Sequence, residues 1–242
     1  MAAMVKGLEV EDLPAIVTYL KGQIKKLGVD IRLGKKADAA MIEGLKPDVL
    51  ILATGGIPTL PNIPGINNPI VVNPVDLHRR LKFFLRFVGP GTLRWLTKFY
   101  LPIGKRVVII GGGINGCELA EFMVKKGRQV TIVDTAETLG EGMIHHLRNQ
   151  LFWWFRKRGV VMLPGVQPVE ITNKGLVILT KEGYKQTIEA DSIIPANPMK
   201  PNKELLKVLE GKVIEVYAIG DCREPHLIVD AIAGGFRTAR SI

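Results

Sequence analysis

Apolar and polar positions alternate along the chain with two distinct periods. From Leu13 to Leu27 the apolar residues Ile16, Tyr19, Leu20, Ile24 and Leu27 recur at helical spacing, and Gly28 ends the run. Val29–Leu33 reads as a strand and 38–45 as a short helix. The apolar runs 49–52, 107–110 and 130–133 read as strands buried on both faces, as in a parallel sheet, the first within a strand over 48–53. From Asn115 to Lys126 the helical period returns, with Leu119 and Met123 on the apolar face and Gly127 closing it. A longer helix follows over 144–158 and carries Trp153, Trp154 and Phe155. The segments 160–163, 166–172, 175–180 and 184–190 then have the short spacing of strands, the last three antiparallel in character. Strands over 191–196 and 216–221 and a closing helix over 227–242 complete the pattern.

One stretch joins these elements into a chemical unit. Arg106–Ile110 is a strand, Gly111, Gly113 and Gly116 form G-x-G-x-x-G, a helix follows, and a second strand ends on Asp134, 23 residues after Gly111. Gly111 permits a tight turn, Gly113 lets a pyrophosphate approach the backbone, and Gly116 lets helix and strand pack closely. The first helical N–H groups and the positive end of the helix dipole would hold the phosphates. Asp134 would accept hydrogen bonds from the adenosine ribose hydroxyls, and a 2′-phosphate would be repelled there, so NAD(H) is favoured over NADP(H). Gly112, Ile114, Asn115 and Thr135 belong to the same cofactor-binding set. Glu118 reads equally as a nicotinamide-side acid or as an acid favoured by the helix dipole.

Composition changes this picture little. Hydrophobic residues make up 47% and aromatics 6% of 242 residues, which suits an aliphatic-rich α/β protein. Two distant cysteines, Cys117 and Cys222, give no local dithiol and read as buried thiols. The four histidines show no metal-ligand spacing. No apolar run is long enough to span a bilayer, and a cytoplasmic location is expected. The net charge of +10 comes mostly from 79–106, which has eight Lys/Arg and no Asp/Glu. Nucleic-acid binding is not expected, because no recognised motif accompanies the charge. Within 78–103, Leu81, Phe84, Leu85 and Val88 share one helical face and Arg79, Lys82 and Arg86 the other. Three readings stay open for this insert: a hairpin packed on protein, membrane-surface contact, and contact with an anionic substrate tail such as CoA.

The motifs LILATGG (50–56), VVIIGGGINGCE (107–118) and AIGDC (218–222), with the stretch 8–38, resemble the NADH:flavin oxidoreductase family of 2,4-dienoyl-CoA reductase and 2-enoate reductase. The resemblance covers nearly the whole chain. It implies a Rossmann-like three-layer α/β FAD/NAD(P)-binding fold in which an NAD domain is inserted into an FAD domain. Residues 1–77 and 205–242 would form a partial FAD domain, 78–103 the insert and 104–204 the NAD domain. It further implies FAD contacts from Ala53, Thr54 and Gly55 and from Gly220 and Asp221, with Asp221 on a ribityl hydroxyl. Ala196, ending the last strand of the NAD domain, would lie beside the nicotinamide. The activity implied is NADH-dependent flavoprotein oxidoreduction, hydride passing from NADH to FAD for reduction of an enoate or enoyl-CoA.

The chain departs from that family in lacking the first G-x-G-x-x-G, which holds the FAD pyrophosphate, and the N-terminal flavin barrel, which holds FMN and an iron–sulfur cluster. It is therefore expected to be a fragment, inactive alone, whose partners are dinucleotides and the barrel of the parent. Self-association stays open. The alternative class is a non-catalytic nucleotide-binding domain that docks a partner through the basic insert.

Overall fold

The computed structural model describes residues 13–73 and 103–242; the basic insert lies outside them. The described residues fall into two compact units, one comprising 13–27, 60–73 and 103–197, the other Gly28–Thr59 and Pro198–Ile242. The fold is a Rossmann-like α/β arrangement of parallel sheets.

The larger unit begins with helix α1 (Leu13–Lys26), whose apolar side chains, among them Tyr19 and Leu20, are exposed. The smaller unit holds α2 (Ala39–Leu45), β1 (Val49–Leu52) and β2 (Gly56–Ile57). Asp38 caps α2 by accepting the Met41 N–H at 2.9 Å. In the larger unit come β3 (Arg106–Ile110), α3 (Ile114–Lys125), β4 (Gln129–Asp134), α4 (His145–Lys157), β5 (Val161–Pro164), β6 (Gln167–Thr172), β7 (Gly175–Leu179), β8 (Lys185–Glu189) and β9 (Ser192–Pro195). Its parallel sheet has the order β5-β4-β3-β9, with Val107 opposite Val130 and Ser192. Strands β6, β7 and β8 form the antiparallel meander expected from their spacing, with a bulge between Pro168 and Glu170.

Strand β3 shows why its run is apolar throughout. Val107 and Ile109 enter a core with Cys117, Ala120, Met123, Leu151 and Phe155 from α3 and α4. Val108 and Ile110 enter a second core with Val133, Leu176, Ile178 and Ile193. Successive side chains point to opposite faces, and both faces are covered. The segment 60–73 seals the second core: the Ile171 N–H donates to Pro64 O at 2.8 Å, and the Ile193 N–H to Ile70 O at 2.8 Å. Residues 60–73 thus pack against the second core of the four-stranded sheet, and 198–204 fall in the smaller unit.

The smaller unit continues with β10 (Lys200–Pro201), α5 (Glu204–Leu209), β11 (Glu215–Ala218), a 3-10 turn over Gly220–Cys222 and α6 (Ile228–Ser241). Among the described residues, β1 pairs only with β11, in parallel, and β2 with β10. Two expectations are corrected here. Residues 29–33 form no strand; no ladder partner stands beside them among the described residues, and Val29, Ile31 and Leu33 are exposed. β1 is not buried on both faces; Leu52 is buried, but Ile51 is 40% exposed in a sheet that is two strands wide among the described residues. No helix of the described residues is long and apolar enough to cross a membrane.

Candidate dinucleotide site

At the carboxyl end of β3 the chain turns through Gly111, whose φ of +106° needs glycine. Its N–H donates to Val133 O at 2.9 Å. A Cβ on Gly116 would fall 1.8 Å from Gly111 O, so the first turn of α3 packs against the strand end only without a side chain there. A Cβ on Gly111 would stand 3.0 Å from Ala196 O, and the Ala196 N–H donates to Ile110 O at 2.7 Å. Ala196 and the glycine turn are therefore neighbours.

Gly113 is different. Its φ of −67° is open to any residue, and a Cβ there would meet no atom within 4 Å. Neither strain nor packing within the described residues calls for glycine at this position. The free space lies at the N-terminus of α3, where backbone N–H groups lack intrahelical acceptors. A pyrophosphate approaching the backbone supplies the reason that packing does not, so the residues fit a dinucleotide.

Asp134 ends β4 beside this turn. Its Oδ2 accepts the Gly112 N–H and its Oδ1 accepts the Ala136 N–H at 2.9 Å. The carboxylate thus braces the glycine turn. A carboxylate offers about four acceptor positions, so capacity for two ribose hydroxyls remains. Thr135 is exposed and Glu118 half-buried. The loop after β4 closes over Gly112: Leu139 packs against it, and the Gly140 N–H donates to Gly112 O at 2.6 Å. Cys117 donates through Sγ to the same oxygen at 3.3 Å. Burial pushes the Cys117 thiol up to about 12, so it is a protonated core group, not a nucleophile.

In the smaller unit, Gly55 (φ +78°) and Gly220 (φ +59°) mark the ends of β1 and β11. Cys222 Sγ donates to Leu52 O at 2.9 Å and ties the two strand ends together. Thr54 donates to Asn202 O at 3.3 Å, and Ala53 is exposed. Among the described residues, Asp221 accepts only a long bond of 3.4 Å from the His226 N–H, which leaves its carboxylate able to take a hydroxyl ligand. The start of α6 is partly self-capped, since Asp230 accepts the Leu227 N–H at 3.1 Å. These residues fit the ribityl portion of a flavin. The sequence has no second G-x-G-x-x-G for its pyrophosphate.

Two features escaped the sequence reading. Asn197, following Ala196, has a buried side-chain oxygen without a hydrogen-bond partner among the described residues. Glu137 and Lys181 form an ion pair beside the loop that leaves β4. A shallow depression lined by Arg106, Arg128 and Asp191 lies at the opposite, amino-terminal end of the strands. There Arg106 holds Asp191 with bonds to both carboxylate oxygens and pulls its carboxyl down to about 2. In parallel sheets ligands bind at the carboxyl ends, which leaves that depression a structural corner.

The family model described as pyridine nucleotide-disulphide oxidoreductase matches residues 16–235. An NADH oxidase of Thermoanaerobacter brockii is 34% identical over 227 residues, 93% of this chain and 32% of that protein. A bilirubin reductase of Mediterraneibacter gnavus is 34% identical over 206 residues, 85% of this chain and 29% of that protein. A solved 2-naphthoyl-CoA reductase complex superposes with a TM-score of 0.82 at 29% identity, over 100% of this chain and 34% of that one. The chain thus spans about a third of the length of these relatives.

Proposed function

The chain belongs to the pyridine nucleotide-disulphide oxidoreductase family, and from that premise we propose that its glycine turn binds NADH for hydride transfer to FAD. The observation that carries this reading is Gly113, a glycine required by nothing inside the fold. In this reading 104–204 is the NAD domain, and 1–77 with 205–242 a partial FAD domain. The turn 111–116 and the N-terminus of α3 hold the pyrophosphate. Asp134 takes the adenosine ribose hydroxyls, with Thr135 beside it and Glu118 on the nicotinamide side. Ala196 places the nicotinamide at the end of β9. Ala53, Thr54, Gly55, Gly220 and Asp221 hold the ribityl end of FAD. When bound, FAD supplies the hydride-accepting ring that passes reducing equivalents onward.

We place the parent activity in the reduction of an enoate or enoyl-CoA, in the manner of 2,4-dienoyl-CoA and 2-enoate reductases. The motifs 50–56, 107–118 and 218–222 support it, as does likeness to a reductase whose name carries an aromatic acyl-CoA. FMN, an iron–sulfur cluster and a flavin barrel belong to that parent reading. The chain alone is expected to bind NADH and to hold FAD weakly, because helix-terminal phosphate binding is a major anchor of a dinucleotide.

The test is titration with NADH and NADPH, with and without FAD, on the wild type and Asp134→Ala. NADH is expected to bind at least tenfold more tightly than NADPH to the wild type. Asp134→Ala should lose roughly ten- to a hundredfold in NADH affinity, the worth of hydrogen bonds to a charged acceptor. Equal wild-type affinity for both nucleotides would contradict the role of Asp134, and failure to bind either would remove the site.

A further inference from the structure

Strands β3 and β4 are each followed by a helix that runs back along the parallel sheet, so α3 and α4 both end at its amino-terminal edge. That edge lies opposite the glycine turn and is strongly cationic. Residues 121–129 and 152–159 carry six Lys/Arg and one carboxylate, Glu121, which accepts from Lys125 at 2.6 Å. Exposed Lys105 joins them, because the Gln129 N–H donates to Lys105 O at 2.9 Å. Arg106, on the same edge, is matched by Asp191 and Glu189.

The cations stand over aromatic rings. Lys157 lies 5.7 Å from the centroid of Trp153 and Lys126 5.3 Å from that of Phe122. Lys125 on α3 and Arg158 at the end of α4 lie 5.8 and 5.5 Å from the Trp154 centroid, so this ring joins the two helix ends into one surface. Arg156, Lys157 and Arg158 are exposed, and Trp153 is 58% exposed. The helix dipole accounts for cations in a last turn. It accounts neither for an exposed tryptophan among them nor for Lys105 and Arg128, which lie outside the helices. The chain reaches this edge through Ile103, buried in the α3–α4 core, and the sequence over 79–98 adds six more Lys/Arg and no Asp/Glu.

The arrangement of rings and charges selects among polyanions. Single-stranded nucleic acid binds by stacking bases on open ring faces. Here a cation already covers a face of each ring. Tryptophan set among Lys/Arg is instead the composition of an interfacial anchor, in which the ring sits at headgroup level and the cations meet anionic lipid. We infer that the ends of α3 and α4 form a docking surface for an anionic phospholipid bilayer, with Trp153 as its apolar anchor. The glycine turn, at the other edge of the sheet, then faces away from the lipid. The inference does not depend on what the turn binds.

Co-sedimentation with vesicles tests it, using phosphatidylcholine alone and equal parts phosphatidylcholine and phosphatidylglycerol, at low and high salt. The wild type should sediment with the anionic vesicles only, and high salt should release most of it. Lys126→Gln should weaken binding about fivefold and the double variant Arg156→Gln/Lys157→Gln about twenty-fivefold, the worth of one and two cations near an anionic surface. Trp153→Ala should weaken what binding remains at high salt, because contact of the ring with lipid is not screened. Melting temperatures of the variants should stay near that of the wild type; if the double variant melts lower, the two single variants decide. A wild type that ignores anionic vesicles, or binds phosphatidylcholine equally well, overturns the inference. Folded variants that sediment like the wild type also overturn it. Tighter binding to single-stranded RNA than to the anionic vesicles would give the surface to nucleic acid instead.

Discussion

Gly113 and Gly116 lie three residues apart, yet glycine is needed at each for a different reason. At Gly116 the constraint is internal, because a methyl group would meet Gly111 O at 1.8 Å. The strand end and helix start would have to separate, and Gly116→Ala is expected to cost ~3 kcal/mol, the upper part of the usual overpacking range. At Gly113 the constraint is external, since nothing lies within 4 Å of where a methyl group would stand. Gly113→Ala should melt within a degree or two of the wild type and yet lose at least tenfold in NADH affinity. Thermal melts and nucleotide titrations on both variants separate the cases. A Gly113→Ala protein with unchanged NADH affinity would leave the open space without a ligand. The sequence made both glycines legible as a motif, but only the three-dimensional neighbours divide them. Glu137 and Lys181 were illegible for the opposite reason: an ion pair spanning 44 residues has no local signature.

Among the elements, those with strong periodicity and local hydrogen bonds were readable. Helix α3, β4 and the β6–β7–β8 meander lie within a residue or two of their expected limits. Residues 29–33 have the strand composition but not the strand, because a ladder needs a neighbour and composition supplies none. The segment 60–73 belongs to no helix or strand of the fold, yet Val71 bridges Ile193 and Ile63 enters the second core. A single bridge leaves no period to detect. Helix α4 shows a further division within one apolar cluster. Phe155 is fully buried and stacks on Phe152 with centroids 6.1 Å apart, whereas Trp153 is 58% exposed under Lys157. Phe155→Ala should therefore cost ~3–5 kcal/mol, the usual range for emptying a core aromatic site. Trp153→Ala should stay within about 1 kcal/mol, as for surface substitutions. Denaturant unfolding of the two variants checks the contrast, and equal losses would show that α4 packs by another face.

At the scale of the whole molecule, the two units differ in how fully their sheets are covered. The four strands of the larger unit carry apolar cores on both faces, and Val107, Ile109, Ile132 and Ile193 are almost wholly inaccessible. Among the described residues, the smaller unit has a two-stranded parallel sheet, an exposed Ile51, and a helix α6 with no buried residue, on which Ile232 and Phe236 are exposed. Sheets this narrow carry little independent stability. Local opening should therefore be easier there, since few apolar contacts are lost when β1 and β11 separate. Amide hydrogen exchange is expected to be roughly a hundredfold faster in β1 and β11 than in β3 and β4, a difference of about 2.7 kcal/mol in opening free energy. Adding FAD should slow exchange at the end of β1 and at the Gly220–Cys222 turn if Thr54 and Asp221 hold its ribityl chain. NADH alone should instead protect the start of α3. Equal protection of both sheets would mean that the narrow sheet is stabilised by more than its visible contacts. Protection by FAD at the α3 turn rather than at Asp221 would move the flavin onto the site assigned to NADH.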